Sequence, residues 1–207
     1  MQRRYTAWLH DDGWDVVFEQ SIVYTDTDMK PNELLQAFDR FLAARGLRLE
    51  AIVVGGAALN LLGIISRQTR DCDILEPALE PEMLRSARDF AAQLRGRGDA
   101  LDDEWLNNGP AQLTKVLPSG WREHLQPAFH GTAIELQTLG RADLLKVKLF
   151  ALCDRGIDLG DCLALRPTAA ELAEAVPWLE VQDLHVEWPT HVHNTLADLA
   201  RRLGHGV

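Results

Sequence analysis

VVGGAALNLLGIISRQTRDCDIL, residues 53–75, is the stretch of sequence that decides the fold. It begins inside an apolar run, LEAIVV (Leu49–Val54), whose length and β-branched residues predict a short buried strand. Two glycines stop this strand, and the apolar segment AALNLLGII that follows them predicts a helix. TRDCDILE then predicts a second strand, which Pro77 ends. The stretch is therefore expected to fold as strand, glycine turn, helix and strand.

The Gly55-Gly56 pair at the first junction can bring a ligand close to the backbone. Glycine has no Cβ, so the chain can turn sharply there, and the N–H groups at a helix start suit phosphate oxygens. Such turns are common, so this pair alone is a weak indication of phosphate binding. The Walker pattern and the dinucleotide-binding G-x-G-x-x-G spacing are both absent from the sequence.

Asp71 and Asp73 stand one residue apart on the second predicted strand. Because residues i and i+2 share a strand face, their carboxylates should lie about 7 Å apart, with Cys72 and Ile74 turned toward the core. Two such carboxylates repel unless a cation neutralises them, and Mg²⁺ commonly binds one or two carboxylates together with substrate phosphates. Solvated acids at a strand end are the alternative, and for this motif alone they are the better interpretation.

The glycine and aspartate motifs are more specific together than apart. The glycine turn can hold a triphosphate while the aspartates hold metal beside it, and a third carboxylate on a neighbouring strand would complete a two-metal site. Glu135 is the candidate because it is the only acid within the third predicted strand, TAIELQTL (Thr132–Leu139). An outward-facing strand glutamate is an equally good interpretation of Glu135.

Helical patterns surround the predicted strands. Apolar residues at helical spacing predict helices from Pro31 and from about Pro81. After Gly140, the segment RADLLKVKLFALCDR predicts one helix, and Thr168 and Glu171 have capping-box spacing at the start of another. The three predicted strands all precede these last helices.

Three regions follow from this order of elements. Residues 1–30, which include the β-favouring segment WDVVFEQSIVYT, are expected to form an N-terminal extension. Residues 31–140 are expected to form a small mixed-sheet α/β (α+β) core, and residues 141–207 a C-terminal helical part.

Composition and charge indicate a cytoplasmic, soluble protein. The chain has 207 residues, of which 46% are hydrophobic and 25% charged, an ordinary mix for a globular protein. Cys72, Cys153 and Cys162 are an odd number without C-x-x-C spacing, so we expect reduced, mostly buried thiols. No run is long and apolar enough for a membrane span, and the net charge of −10 argues against binding bulk DNA.

The glycine turn and the aspartates together resemble the polymerase-β-type nucleotidyltransferase superfamily. That superfamily carries an apolar-Gly-Gly/Ser motif, then D-x-D, then a later strand acid, and VVGGAALNLLG and RQTRDCDIL are similar to the first two. Downstream, ADLLKVKLFALCDRGIDLGDCLAL resembles bacterial nucleotidyltransferase-like proteins related to the abortive-infection (AbiE-type) toxins. The shared positions of this second signature are Asp143, Lys148, Arg155, Asp158 and Asp161. The resemblance covers about residues 45–205.

The resemblance implies transfer of a nucleotidyl group from a nucleoside triphosphate to an acceptor hydroxyl. The expected acceptor is an RNA 3′ end, such as that of tRNA, or a protein, and the expected cofactor is Mg²⁺ or Mn²⁺. The likeness to the AbiE-type toxins further implies the toxin of a toxin–antitoxin pair, with a cognate antitoxin as its partner.

The resemblance also implies a role for each polar residue of the motifs. The expected metal ligands, which together with Lys148 are the expected catalytic residues, are Asp71, Asp73 and Glu135. The expected contacts of the triphosphate are Gly55, Gly56, Arg67 and Thr69. Lys148 is expected to neutralise charge that develops on phosphate. A structural pairing of Lys148 and Arg155 with Asp158 is an equally good interpretation.

Two positions depart from the superfamily pattern. Ala57 stands where the superfamily often has a serine, and Ile157 stands where a lysine usually precedes the D-x-x-D segment. These departures favour an alternative in a different class. In that alternative the chain is a catalytically silent nucleotidyltransferase fold that serves as a nucleotide-binding or protein-binding module.

Overall fold

A mixed sheet of five strands forms the centre of the described part of the molecule. The computed structural model describes residues 31–67, 69 and 71–205, so the β-favouring segment expected within residues 1–30 lies outside the described residues. The strands are β1 (Leu49–Val54), β2 (Cys72–Glu76), β3 (Leu106–Asn107), β4 (Gln126–His130) and β5 (Ile134–Thr138). Their order across the sheet is β3-β2-β1-β5-β4. β1 is antiparallel to β2 and parallel to β5, β2 is parallel to β3, and β4 is antiparallel to β5.

Seven α-helices accompany this sheet within the described residues. They are α1 (Pro31–Ala43), α2 (Gly55–Leu61), α3 (Pro81–Arg95), α4 (Arg141–Arg155), α5 (Leu159–Leu165), α6 (Ala169–Glu180) and α7 (Trp188–Arg202). Two 3₁₀-helices, Gly109–Lys115 and Trp121–His124, lie between β3 and β4. Three α-helices alternate with the first strands and four follow the sheet, so the expected fold class, an α/β core followed by helices, is confirmed.

One face of the sheet packs against α1 and α3. Cys72 and Ile74 of β2 belong to this hydrophobic cluster, as the strand alternation predicts. Its aromatic centre is Trp105, whose ring meets Phe38 of α1 edge-on with 5.0 Å between centroids, and Phe90 of α3. The indole N–H of Trp105 donates to a helix carbonyl of α3, so its one polar atom is satisfied.

The other face of the sheet packs against the C-terminal helices. Val54 at the end of β1 and Leu75 of β2 belong to a second cluster with Leu144 and Leu145 of α4. Asp73 shares a strand face with Leu75 because the two residues are two positions apart on β2. The end of β1 and the aspartate of β2 therefore face the helices that follow the sheet.

The elements with strong periodic patterns are confirmed. β1 has the predicted bounds, and α4 includes all 15 residues of the predicted helix. The capping box at the start of α6 is also present: Thr168 Oγ1 accepts from the Glu171 backbone N–H at 3.1 Å, and the Glu171 carboxylate accepts from the Thr168 N–H at 2.8 Å.

The structure differs from the prediction at short or interrupted elements. The sequence pattern does not predict β3, which has two residues in a turn-rich segment, or β4, whose Pro127 is tolerated because β4 is an edge strand. α2 is shorter than expected. It ends at Leu61 because Gly63 adopts a left-handed conformation, with φ of 69°.

The three cysteines are free, and all three are buried, as the sequence predicts. Burial raises the pKa of the Cys72 thiol, and that of Cys162, to about 12. Both side chains are therefore neutral at physiological pH and pack as small apolar groups.

The described helices are too short to cross a membrane. The longest of them have 15 residues, or about 22 Å at the α-helical rise, whereas the hydrocarbon core of a bilayer is about 30 Å thick. Among the described residues, no helix is therefore a candidate for a membrane span.

Candidate active site

The first glycine of the turn lies directly against Asp73. β1 and β2 are antiparallel and pair Val54 with Asp73, so the residue that follows β1 lies beside the aspartate. Gly55 has φ of 72°, and a Cβ on it would lie 2.6 Å from Asp73 Oδ2. A side chain at this position would have to displace the carboxylate, so both the backbone conformation and the close approach require glycine.

The second glycine, Gly56, lies against the segment that leads into β2. A Cβ on Gly56 would lie 3.2 Å from Thr69 Oγ1 and 3.6 Å from an Nη atom of Arg67. Asn60 of α2 donates to the Arg67 carbonyl at 3.0 Å, and Thr69 Oγ1 donates to the Asp71 carbonyl at 3.3 Å. These hydrogen bonds hold Arg67 and Thr69 close to the glycine turn.

One cavity of about 630 Å³ brings together six of the eight residues predicted for the site. These six lining residues are Gly55, Gly56, Arg67, Thr69, Asp73 and Lys148. The 3₁₀-helix Gly109–Lys115 and α4 supply the rest of the wall, which includes the apolar side chains of Leu113, Val147 and Phe150. The cavity therefore has a polar side near the end of β1 and an apolar side between the two helices.

Asp71 lies beside this cavity and is exposed to solvent just before β2. It lines an adjoining recess together with Asp102, Glu104, Asn107 and Gly109, and Gly109 also lines the main cavity. Asp71 thus remains near the site, at its solvent-facing side.

The Asp73 carboxylate is half-buried at the floor of the cavity. Burial raises its pKa, and the charge of Asp71 adds to this effect. A hydrogen bond from Asn107 and the charge of Lys148 oppose the rise, but the net pKa of Asp73 is above its ordinary value. The ionised form is thus short of compensating charge, and a bound cation would supply it.

Lys148 is already paired within the protein. Its Nζ donates to Asp161 Oδ2 at 2.7 Å and to Asp158 Oδ2 at 3.0 Å, and the residue is only 4% exposed. The contact with Asp158 that the structural interpretation of Lys148 predicts is therefore present. Arg155 instead lies 3.6 Å from Asp154, its neighbour on α4.

Arg67 shares the same buried carboxylate. Its guanidinium donates to both oxygens of Asp161, with Nη2 at 2.8 and 2.9 Å and Nε at 3.2 Å. Burial by itself would raise the pKa of Asp161, but the hydrogen bonds and charges of Lys148 and Arg67 outweigh it, and the pKa is lowered. Two cations at the cavity wall are thus held in place by one carboxylate of α5.

Glu135 does not belong to this site. The parallel pairing of β1 and β5 places Glu135 beside Glu50, whereas Asp73 lies beside Val54, four residues further along β1. Glu135 is therefore about 13 Å from Asp73 along the strand direction, with β1 between the two strands that carry them. The prediction that Glu135 completes a two-metal site is wrong, because the metals of such a site lie about 4 Å apart and share their ligands.

The residue that stands beside Asp73 on the neighbouring strand is Asn107. β2 and β3 are parallel and pair these two residues, and Asn107 Nδ2 donates to Asp73 Oδ1 at 3.3 Å. The sequence pattern does not predict Asn107 as a site residue, because β3 is too short to give a strand pattern. The available signal was the WLNN segment, in which two polar residues directly follow the buried Trp105 and Leu106.

The two departures from the superfamily pattern lie in different environments. Ala57 is 2% exposed and packs in the hydrophobic cluster of α1 and α3, so a hydroxyl at this position would lie among apolar side chains. Ile157 is 46% exposed in the turn between α4 and α5. Neither residue supplies a polar group to the cavity.

Comparison with known proteins identifies the family. The chain matches the model of a family described as "Nucleotidyltransferase of unknown function (DUF6036)" over residues 32–164, which is more than half of its length. The chain belongs to this nucleotidyltransferase family. The match includes the five strands and the site from Gly55 to Asp161. No curated protein and no solved structure gives a match.

A nucleotidyltransferase fold implies a divalent cation, and the donor set near the glycine turn fits one ion. Asp73 directs Oδ2 at Gly55, and Asp71 offers a second, exposed carboxylate nearby. Within the described ranges no three metal-binding side chains come together. One ion held by one or two carboxylates, with waters and substrate phosphates as its other ligands, is an ordinary arrangement for Mg²⁺.

Proposed function

We propose that this protein is a Mg²⁺-dependent nucleotidyltransferase that moves a nucleotidyl group from a nucleoside triphosphate to an acceptor hydroxyl. The hydroxyl oxygen bonds to the α-phosphorus, the bond between the α- and β-phosphates breaks, and pyrophosphate leaves. The observation that carries the proposal is the contact between Gly55 and Asp73, in which a carboxylate oxygen lies where a side chain would otherwise be. A phosphate that approaches the bare backbone of this turn is at the same time beside a metal-binding oxygen.

The charges around the turn support a triphosphate as the ligand. The chain as a whole carries a net charge of −10, yet Arg67 and Lys148 both line the cavity, and an Nη atom of Arg67 lies 3.6 Å from the Cβ position of Gly56. Their positive charges offset those of Asp158 and Asp161, with which they are paired, so Asp73 is the acid whose charge a bound cation would neutralise before a polyanion approaches. The apolar side, with Leu113 and Phe150, suits the flat face of a base.

Asp73 and Asp71 are the residues that would hold Mg²⁺ or Mn²⁺. When bound, such an ion neutralises phosphate charge and polarises the phosphate that is attacked. The protein's own part is to orient the triphosphate through the Gly55-Gly56 turn and to hold Lys148 and Arg67 fixed on Asp161.

The proposal also includes an acceptor and a biological role. We infer an acceptor hydroxyl on an RNA 3′ end, such as that of tRNA, or on a protein, and a cytoplasmic toxin with a cognate antitoxin. The support for this extension is the resemblance of the segment from Asp143 to Asp161 to the AbiE-type toxins.

Transfer of labelled nucleotide tests the proposal. The protein is incubated with each of the four triphosphates, labelled at the α-phosphate, in the presence of Mg²⁺ and total cell RNA and protein. Asp73→Asn is expected to lower labelling at least about a hundredfold because it removes the charge that binds the ion. The matched control is Asp89→Asn, which removes an exposed acid of α3. Equal labelling by Asp73→Asn and the control contradicts the proposal.

A catalytically silent nucleotide-binding module is the second candidate. The specific observation in its favour is that the Lys148 ammonium is already bound by Asp158 and Asp161. Calorimetry separates the two candidates, because a silent module binds a triphosphate in an Asp73-dependent way and transfers no label. An enzyme shows both binding and transfer.

A further inference from the structure

The side-chain amide of Asn107 has a fixed orientation. Its Oδ1 accepts the backbone N–H of Gly109 at 2.7 Å, and its Nδ2 donates to Asp73 Oδ1 at 3.3 Å and to the Glu104 carbonyl at 3.4 Å. A backbone N–H can only donate and a backbone carbonyl can only accept, so the oxygen must face Gly109 and the NH₂ group must face Asp73.

The local turn is built around this orientation. A Cβ on Gly109 would lie 2.8 Å from Asn107 Oδ1, so the turn needs glycine for the oxygen to reach the backbone N–H. The side chain next to Asp73 on the neighbouring strand therefore presents N–H donors. An amide NH₂ group has no lone pair for a metal ion, and its partial positive charge repels one.

The amide also gives the two carboxylate oxygens of Asp73 different surroundings. Oδ1 faces Asn107, and Oδ2 faces the Gly55 turn where the phosphates are proposed to bind. An ion beside Asp73 is thus directed toward the phosphate side of the cavity. Its protein ligands are few, because the described residues place no third carboxylate there.

We propose that Asn107 makes the binding of a divalent cation depend on the nucleotide. The inference rests on the proposed function, in which the triphosphate binds at Gly55-Gly56. Without the triphosphate, an ion finds Oδ2 of Asp73 and the exposed Asp71, which is a weak set of ligands. With it, phosphate oxygens complete the coordination. Asn107 acts as a positioning residue because its NH₂ group binds Oδ1 of Asp73. It also occupies the position beside Asp73 at which a carboxylate would be a further metal ligand.

The substitution Asn107→Asp tests this role with almost no change in shape. One carboxylate oxygen can still accept the Gly109 N–H, while the other replaces the NH₂ group and faces Asp73. The matched control is Gln93→Glu, the same amide-to-acid change on the exposed face of α3. Each protein is titrated by calorimetry with MnCl₂ alone and with MnCl₂ in the presence of a non-hydrolysable triphosphate.

Wild type is expected to bind Mn²⁺ at least about tenfold more tightly with the analogue than without it, because phosphate oxygens add ligands and charge. Asn107→Asp is expected to bind Mn²⁺ alone about tenfold more tightly than wild type, because the new carboxylate adds an oxygen ligand and a negative charge. Gln93→Glu should behave as wild type. Asn107→Ser, which replaces the NH₂ group with a neutral hydroxyl whose oxygen has lone pairs, should show a smaller gain and serves if Asn107→Asp does not fold.

Two results overturn the inference. One is a folded Asn107→Asp or Asn107→Ser protein, checked by circular dichroism, that binds Mn²⁺ alone no more tightly than wild type. The other is a wild-type affinity for Mn²⁺ that a bound analogue does not change. Failure of the proposed function gives a different result from these two, because wild type then binds no triphosphate. In that case the titrations with Mn²⁺ alone still test the role of Asn107.

Discussion

The two ends of β1 carry acidic recesses of different kinds. The glycine end is the cavity at Gly55, Gly56 and Asp73. The acidic end is a recess of about 380 Å³ lined by Glu50, Ala51, Ile52, Glu76, Pro77, Glu135 and Gln137. Three carboxylates line each recess, but the lining of the glycine end also contains Arg67, Lys148 and Arg155, and the glycine end is the proposed nucleotide site.

The difference lies in what surrounds the carboxylates. At the glycine end, a turn without side chains lies against Asp73, and Lys148 is a buried cation with a 5% exposed side chain. At the acidic end the nearest ion pair is between Arg122 and Glu76, with side chains 59% and 33% exposed. A polyanion needs open backbone and positive charge, so the number of acids alone does not define a site for a metal–nucleotide complex.

The largest expected effect comes from filling the space at the glycine end. Gly55→Ala should weaken triphosphate binding and labelling about a hundredfold, because the new Cβ displaces the Asp73 carboxylate. Gly63→Ala is the matched control: Gly63 has a similar φ of 69° and no atom within 4 Å of its Cβ position. Both variants should lose about 1 kcal/mol of unfolding free energy to backbone strain. If both bind the triphosphate equally well, the contact at Gly55 has no functional role.

The second effect concerns stability and compares the ion pairs of the two ends. Lys148→Met should lower the free energy of unfolding by about 3 kcal/mol, because it leaves the buried Asp161 with Arg67 as its remaining cation. Arg122→Gln at the acidic end should cost less than about 1 kcal/mol, since that pair is exposed. Urea denaturation of both variants measures the difference. Equal losses would show that burial does not distinguish the two ends.

The smallest effect is expected at the acidic end itself. Glu135→Gln should leave labelling and triphosphate affinity within about twofold of wild type, because the residue is remote from the phosphates. It should stabilise the fold by about 0.3 kcal/mol, because Glu135 and Glu50 are like charges on adjacent strands. A tenfold loss of labelling would show that Glu135 does take part in the active site.

Much of the fold is predictable where the sequence pattern is long. β1 and α4 have the predicted bounds because apolar residues at strand or helical spacing continue through each segment. β3 and β4 are not predictable in this way. β3 exists because Cys72 and Asp73 pair with Leu106 and Asn107 across the sheet, a contact that local propensity cannot report.

The residues of the candidate site also fall into two groups, those that the local sequence predicts and those that depend on contacts across the sheet. The motifs in residues 53–75 predict Gly55, Gly56 and Asp73 because a strand, a turn and a strand bring their ends together over a short distance in sequence. Glu135 fails as a prediction because its strand, although identified, pairs with β1 in a register that sets it beside Glu50. Register depends on side chains from distant segments.

The sequence alone determined the glycine turn, the D-x-D motif of Asp71 and Asp73 and the helix that carries Lys148, since each depends on local pattern and backbone conformation. Only the tertiary structure decided that Asn107 stands beside Asp73 and that Lys148 and Arg67 meet on Asp161. Asp161 is 94 residues from Arg67 along the chain. Such contacts are chosen by the packing of the C-terminal helices on the sheet, which no single stretch of sequence encodes.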